Sequence, residues 1–377
     1  MKRVFLVSIC IIISICCRGQ ELKLTFSPTI TLSQDTSVRI IASLWENYLE
    51  ARYDDYLNFR RNLQYQRRGD LIQNLFWHAQ TEDLLIGEIE KFMLFGELST
   101  FSIRKYSKTI YEIHTLLQAK AFEGEGINTL FLYKVCAIET DNGFKFLNYF
   151  DVTKNSLQNY TSEDIDFYYP CGFEFDIEKV KETEKFLSQF RKDFNIEKLD
   201  KKIVCVVGNS LSESNAFIGF DFTIATSENK FAGYFLEPRT ILTCRQDHIH
   251  EFVHVLIKST YPNIYEILNE GIATYYGGQA GFDYDFHVKN LQKYLSENTV
   301  DFLNTSLLWD LEVEGGRLAY TVGALIVDYT LNSYGTPKVI ELFSCKDYEE
   351  IFLKLEIPTE DVNNFFIRLI NGKIEKY

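Results

Sequence analysis

The stretch Asp247-His248-Ile249-His250-Glu251-Phe252-Val253-His254-Val255-Leu256-Ile257 decides how this chain is read. Phe252, Val253, Leu256 and Ile257 recur at the spacing of a helix held in a core. On such a helix His250 and His254 stand one turn apart on the same face, so both imidazoles reach a single metal ion. Glu251 projects beside that ion, where its carboxylate can take a proton from water. A rigid, dry helix is what a catalytic metal site needs. His248, two residues before the first of the pair, is expected on another face.

Two further strings follow in order. Tyr261-Pro262 ends the first helix, and Pro262 suits the first turn of the next. That helix carries Leu268-Asn269-Glu270-Gly271-Ile272-Ala273-Thr274-Tyr275-Tyr276. A third helix carries Ala319-Tyr320-Thr321-Val322-Gly323-Ala324-Leu325, running to about Ser333 and stopping at Gly335 and Pro337. In these three strings, over roughly residues 195–345, the chain resembles the gluzincin metallopeptidases, the aminopeptidase-N-like enzymes and the broader peptidase-MA-like group.

The resemblance implies a zincin-type catalytic domain, a small sheet above the metal helix followed by a helical lobe. It makes Glu270 the third ligand, with His250 and His254, of one Zn2+ per chain. Two histidines, a carboxylate and a water form the ligand set of a catalytic zinc. It makes Glu251 the general base and the Tyr320 hydroxyl the donor that stabilises the oxyanion. The implied activity is hydrolysis of a peptide or protein substrate by a zinc-activated water. The alternative is a catalytically weak or inactive zincin-fold binding or scaffold protein.

The chain also departs from the pattern. Fifteen residues separate His254 from Glu270, a slightly shorter spacer than in aminopeptidase-N-like enzymes. Their glycine-methionine-glutamate signature is missing, and the corresponding strand reads Phe231-Ala232-Gly233-Tyr234-Phe235. Aminopeptidase activity is therefore not expected, although an edge strand there could pair with an extended peptide. His78 and His114 read as structural. His287 could line the cleft or replace Tyr320 as oxyanion donor.

Outside this segment the sequence speaks more generally. A length of 377 residues with 46% hydrophobic content can bury a sizeable core and suggests two domains. A net charge of −14 argues against nucleic acid or an anionic membrane surface as partner. Residues 1–19 read as an export signal: Lys2 and Arg3, an apolar run from Val4 to Ile15, then Cys17-Arg18-Gly19. The expected location is the periplasm or the exterior. A membrane contact would require a lipid anchor on Cys16 or Cys17, which the bulky Ile15 disfavours. The five later cysteines show no C-x-x-C spacing and read as small buried hydrophobes.

Residues 20–170 are expected to form an α+β domain. Val38, Ile41, Trp45, Tyr48 and Leu49 mark a helix over 35–66, and a second covers 71–94. Strands follow over 101–150, including a hairpin of Leu130–Ile138 and Phe144–Phe150 around Asp141-Asn142-Gly143. This order of elements resembles the nuclear-transport-factor-like fold, a helix set against a curled antiparallel sheet that closes into a cone. The polar stretch 155–172 marks the boundary with a second domain over 171–377. There Asp176 caps a helix, and strands are expected over 202–207, 217–224, 231–236 and 239–244. No nucleophile elbow, phosphate-cradling loop or dinucleotide fingerprint occurs.

Overall fold

A computed structural model of the protein describes residues 23–61, 96–120, 126–223, 232–236 and 238–374. The export signal, His78, Phe231 and the helix expected over 71–94 lie outside these residues. The described chain is a mixture of helix and strand with two main sheets and a two-stranded ribbon.

The first sheet is a meander. Strands β2 (Gly96–Lys105), β3 (Ile110–Lys120), β4 (Ile127–Thr140) and β5 (Gly143–Leu147) pair antiparallel in sequence order, with β1 (Lys23–Phe26) added parallel to β2. The β4–β5 turn falls at Asp141-Asn142, as the sequence indicates, with Thr140 opposite Gly143. The strand expected to reach Phe150 stops at Leu147, because Asn148 turns the chain into a short helix at Tyr149–Thr153. Helix α1 (Thr36–Arg61) lays its apolar stripe on this sheet: Ile41, Trp45 and Leu49 are fully buried. Trp45 packs edge-on against Phe146 and donates its Nε1–H to Thr115 Oγ1 at 3.0 Å, so the indole is satisfied inside the core.

The second sheet has the order β10-β11-β8-β7-β6. Its central strands β7 (Ile165–Tyr169), β8 (Ile203–Val207) and β11 (Thr240–Thr243) are parallel; β6 (Gln158–Thr161) and β10 (Gly233–Leu236) close the edges antiparallel. Strand β8 reads Ile-Val-Cys-Val-Val, the continuous apolar run of a strand covered on both faces. Ile203, Cys205 and Val207 enter the core shared with the C-terminal helices, whereas Val206 enters the core under α1. The alternation of a strand thus makes one sheet the wall between two cores.

Two expectations change. The strand expected over 217–224 is half helix: α3 (Leu211–Ile218) is capped by Ser210 and ended by Gly219 at φ 109°, and only Phe220–Thr223 (β9) is strand. A Cβ at Gly219 would lie 2.5 Å from the Lys134 carbonyl, so glycine also permits the close pass onto β4. There β9 pairs with Phe131–Tyr133 and joins the first sheet, not the second. Lys134 fixes the junction, reaching Asp221 at 2.7 Å and lying 4.4 Å above the Tyr149 ring. Pro262, expected in the first turn of a helix, stands in a turn before it; the helix begins at Glu266.

The C-terminal lobe is helical. After α2 (Ile177–Phe194), capped by Asp176 as expected, the elements that matter are α4 (Ile249–Thr260), α5 (Glu266–Gly277), α6 (Tyr284–Leu295) and α7 (Leu318–Tyr334). Among the described residues no helix is long and apolar enough to cross a membrane.

Candidate metal centre

Helix α4 is buried on every side from His250 to Ile257. Phe252, Val253, Val255, Leu256 and Ile257 have no exposed surface, and each contributes roughly 1.5–3 kcal/mol by leaving water. That anchoring is what allows His250, Glu251 and His254 to be carried into the interior as well. The three are 6–7% exposed.

Helix α5 meets α4 and crosses α7 at a point where neither chain has a side chain. A Cβ on Gly271 would lie 2.3 Å from Gly323, and one on Gly323 would lie 2.1 Å from the Ile267 carbonyl. Only glycine at both positions lets the two backbones touch. Glu270 precedes one of these glycines and Tyr320 comes three residues before the other, so the same crossing delivers both side chains to the mouth of α4.

The resulting geometry is compact. One ligand atom each from His250, His254 and Glu270 lies within 4.8 Å of the others. His250 Nε2 is 3.2 Å and His254 Nε2 3.4 Å from Glu270 Oε2. The other ring nitrogens are committed elsewhere. His250 Nδ1 donates to the Gly278 carbonyl at 2.7 Å, and His254 Nδ1 donates to Asn269 Oδ1 at 3.0 Å. With Nδ1 so committed, each ring turns its Nε2 towards the same carboxylate. Three electron-rich atoms at such range need a cation among them, either a proton or a metal. In the metal-free arrangement a proton serves: burial disfavours a charged His254, but the adjacent Glu270 overrides it and holds the imidazolium above the usual histidine range. Burial likewise opposes ionisation of Glu270, yet the two histidines keep it well below the carboxylate range.

Asn269, Glu270 and Gly271 divide the work of three adjacent positions: orienting His254, offering a ligand, and permitting the helix crossing. The role of Asn269 is one that sequence reasoning missed, although its place in the string beside Glu270 was a usable signal.

Glu251 sits next to this cluster. Burial raises its pKa, and the two histidines, with the nearby Phe235 backbone of edge strand β10, pull it back. The Tyr320 ring stacks over His250 with centroids 6.0 Å apart and an interplanar angle of 17°. Trp309 meets Tyr320 edge-on at 5.9 Å. Burial, then the charge of Glu270, pushes the Tyr320 hydroxyl far above its usual pKa, so it keeps its proton and can only donate.

Two expectations about other histidines are corrected. His248 does not face away: as N-cap of α4 it stands three residues from Glu251, with Nε2 3.9 Å from Glu251 Oε1 and Nδ1 2.8 Å from Thr243 Oγ1. The non-helical backbone of the cap turns its ring inward, against Gly233 of β10, where a Cβ would strike it at 2.5 Å. His287 does not line an open cleft; its ring lies against Gly316. It is 2% exposed, and its Nε2 donates to the Gln279 carbonyl at 2.9 Å, bracing the loop whose Gly278 holds His250. His114, read as structural, bonds to the buried Glu112 on β3 at 3.2 Å, remote in sequence and sheet from this centre.

Compared with the models of known protein families, the chain matches none, and no curated protein is detectably similar to it.

Proposed function

We propose that this chain is a zinc-dependent peptidase of the gluzincin type, with a zincin-like catalytic lobe formed by the second sheet and the helices after it. The observation that carries the reading is the pair of imidazoles whose Nδ1 atoms are already spent on Gly278 and Asn269, leaving both Nε2 atoms facing Glu270 at 3.2 and 3.4 Å. Two nitrogens and a carboxylate oxygen with a supporting hydrogen-bonded shell suit zinc better than magnesium or calcium, which prefer oxygen donors. His250, His254 and Glu270 would hold the ion.

Bound there, zinc would supply Lewis-acid chemistry, polarising a carbonyl and making water acidic near neutral pH. The protein's own groups account for the remainder. Glu251, buried and with its proton affinity raised, accepts a proton at its carboxylate and can return it to a leaving amine. Tyr320, locked as a donor, offers its hydroxyl to developing negative charge. Among the described residues β10 is the last strand of its sheet, an edge beside Glu251 along which an extended peptide could pair.

The test is the metal content of residues 20–377 beside a Glu270→Ala variant. About one zinc per chain is expected, lost or much weakened in the variant. No stoichiometric metal under zinc-replete conditions would remove the reading.

A further inference from the structure

Arg317 stands where a tight ribbon hands the chain to α7. Strands β12 (Glu312–Val313) and β13 (Gly316–Arg317) pair antiparallel around Glu314-Gly315, whose backbones take positive φ of 46° and 81°. The Leu318 N–H donates to the Leu311 carbonyl at 2.9 Å, closing the ribbon behind Arg317. Arg317 is the N-cap of α7, and Tyr320 is the third residue of that helix. The guanidinium is close enough for its charge to act on the Tyr320 hydroxyl, opposing Glu270 and Glu251.

What distinguishes Arg317 is that it has no partner. It makes neither a hydrogen bond nor an ion pair, and among the described side chains it is the one lysine or arginine partly withdrawn from water of which this is true. Arg191 has Asp164 and Arg245 has Asp247. Glu312 lies directly across the ribbon, exposed, and forms no ion pair with it. Anions are not scarce in a chain with 53 acidic residues against 39 basic ones. Holding a guanidinium partly out of water without a counter-charge is costly, and a ligand that brings the charge removes the cost.

We propose that Arg317 is a specificity residue of this site, receiving a carboxylate of the bound peptide beside Tyr320. The planar fork of donors fits a carboxylate in two parallel hydrogen bonds, and the rigid ribbon holds it ready. The carboxylate belongs either to the end of the peptide chain or to an aspartate or glutamate side chain. This assignment rests on the peptidase reading for its location, but its test separates the two.

Three acetylated hexapeptides serve as probes: a neutral sequence as its C-terminal amide, the same sequence as its free acid, and the amide with one glutamate moved along it. Binding is measured to the zinc-loaded Glu251→Gln full chain, and hydrolysis with the unaltered protein. One carboxylate form is expected to bind about tenfold or more tightly than the neutral amide. Preference for the free acid identifies chain ends as the source, and preference for glutamate identifies side chains. Arg317→Met should bring the ratio towards one, and Arg317→Lys should keep part of it, with melting temperatures confirming that both variants fold. Equal or undetectable binding of all three peptides, or a preference that survives Arg317→Met, overturns the assignment. Unselective hydrolysis would sink Arg317 and leave the peptidase standing. Carboxylate-dependent binding with no hydrolysis of any peptide would do the reverse.

Discussion

Glu251 and Glu270 are both buried carboxylates within one cluster, and their surroundings push them apart. Glu270 faces two imidazoles and stays ionised, while Glu251 is held mainly by burial and takes up protons more readily. Replacing Glu251 by glutamine should therefore leave metal content near that of the parent and cut hydrolysis by about 10²–10⁴-fold. A Glu251→Gln protein that cleaves peptide at the normal rate would refute the assignment of the base. Acidity should act differently on the ligands. His254, raised, stabilises the metal-free fold below its unfolded pKa of about 6.5, and that contribution is lost as pH rises through its raised value. Glu270, lowered, contributes above its unfolded pKa of about 4.3 and is lost on acidification. The metal-free pair is thus most effective between those limits. Near pH 7 an incoming zinc must expel the shared proton, so affinity should climb with pH and binding should release about one proton per ion. Calorimetry in buffers of different ionisation enthalpy measures that number, and zero would contradict the shared proton.

At the scale of elements the crossing of α5 and α7 is the most sensitive point. Gly323→Ala places a methyl 2.1 Å from a backbone carbonyl that cannot swing aside. The helices must separate, costing about 1–3 kcal/mol and carrying Glu270 and Tyr320 away from α4. Thermal unfolding and zinc titration of this variant should therefore worsen together. Stability lost with metal affinity intact would show that the crossing does not position the ligand. The sequence made α4, α5 and α7 legible because helical spacing, the glycine stop at Gly335 and three short strings agreed with one another. Helix α1 was equally clear from Ile41, Trp45 and Leu49. The misses have local causes. Phe217 and Phe222 look alike in a strand pattern, and only Gly219 between them marks the change from helix to strand. His248 was misjudged because a cap residue does not obey the angular spacing of the helix it precedes. The β12–β13 ribbon, two residues a side, is too short for any periodicity to show.

For the whole molecule, the second sheet makes the two cores depend on each other. Val206 and Leu242 face one core while Cys205 and Ile241 face the other, on the same two strands. A defect in β8 should be felt on both sides. Val206→Ala, which leaves a cavity under α1, is expected to cost about 1–3 kcal/mol and to lower a single unfolding transition seen alike by Trp45 and Trp309. Two transitions, with only the Trp45 signal moved, would mean that the cores melt separately.

The pairing of β9 with β4 has a consequence for the order in which the chain is made. Phe131, Leu132 and Tyr133 are paired with β3 on one side, but they gain neighbours on the other only when residues 220–223 have emerged, after most of the second sheet. Until then a growing chain carries an open strand edge with aromatic side chains. A fragment cut at residue 170 would carry it permanently, inviting other copies to fill the gap. Synthesis and refolding of this protein should accordingly favour whatever keeps nascent chains apart until the later strand has closed the seam.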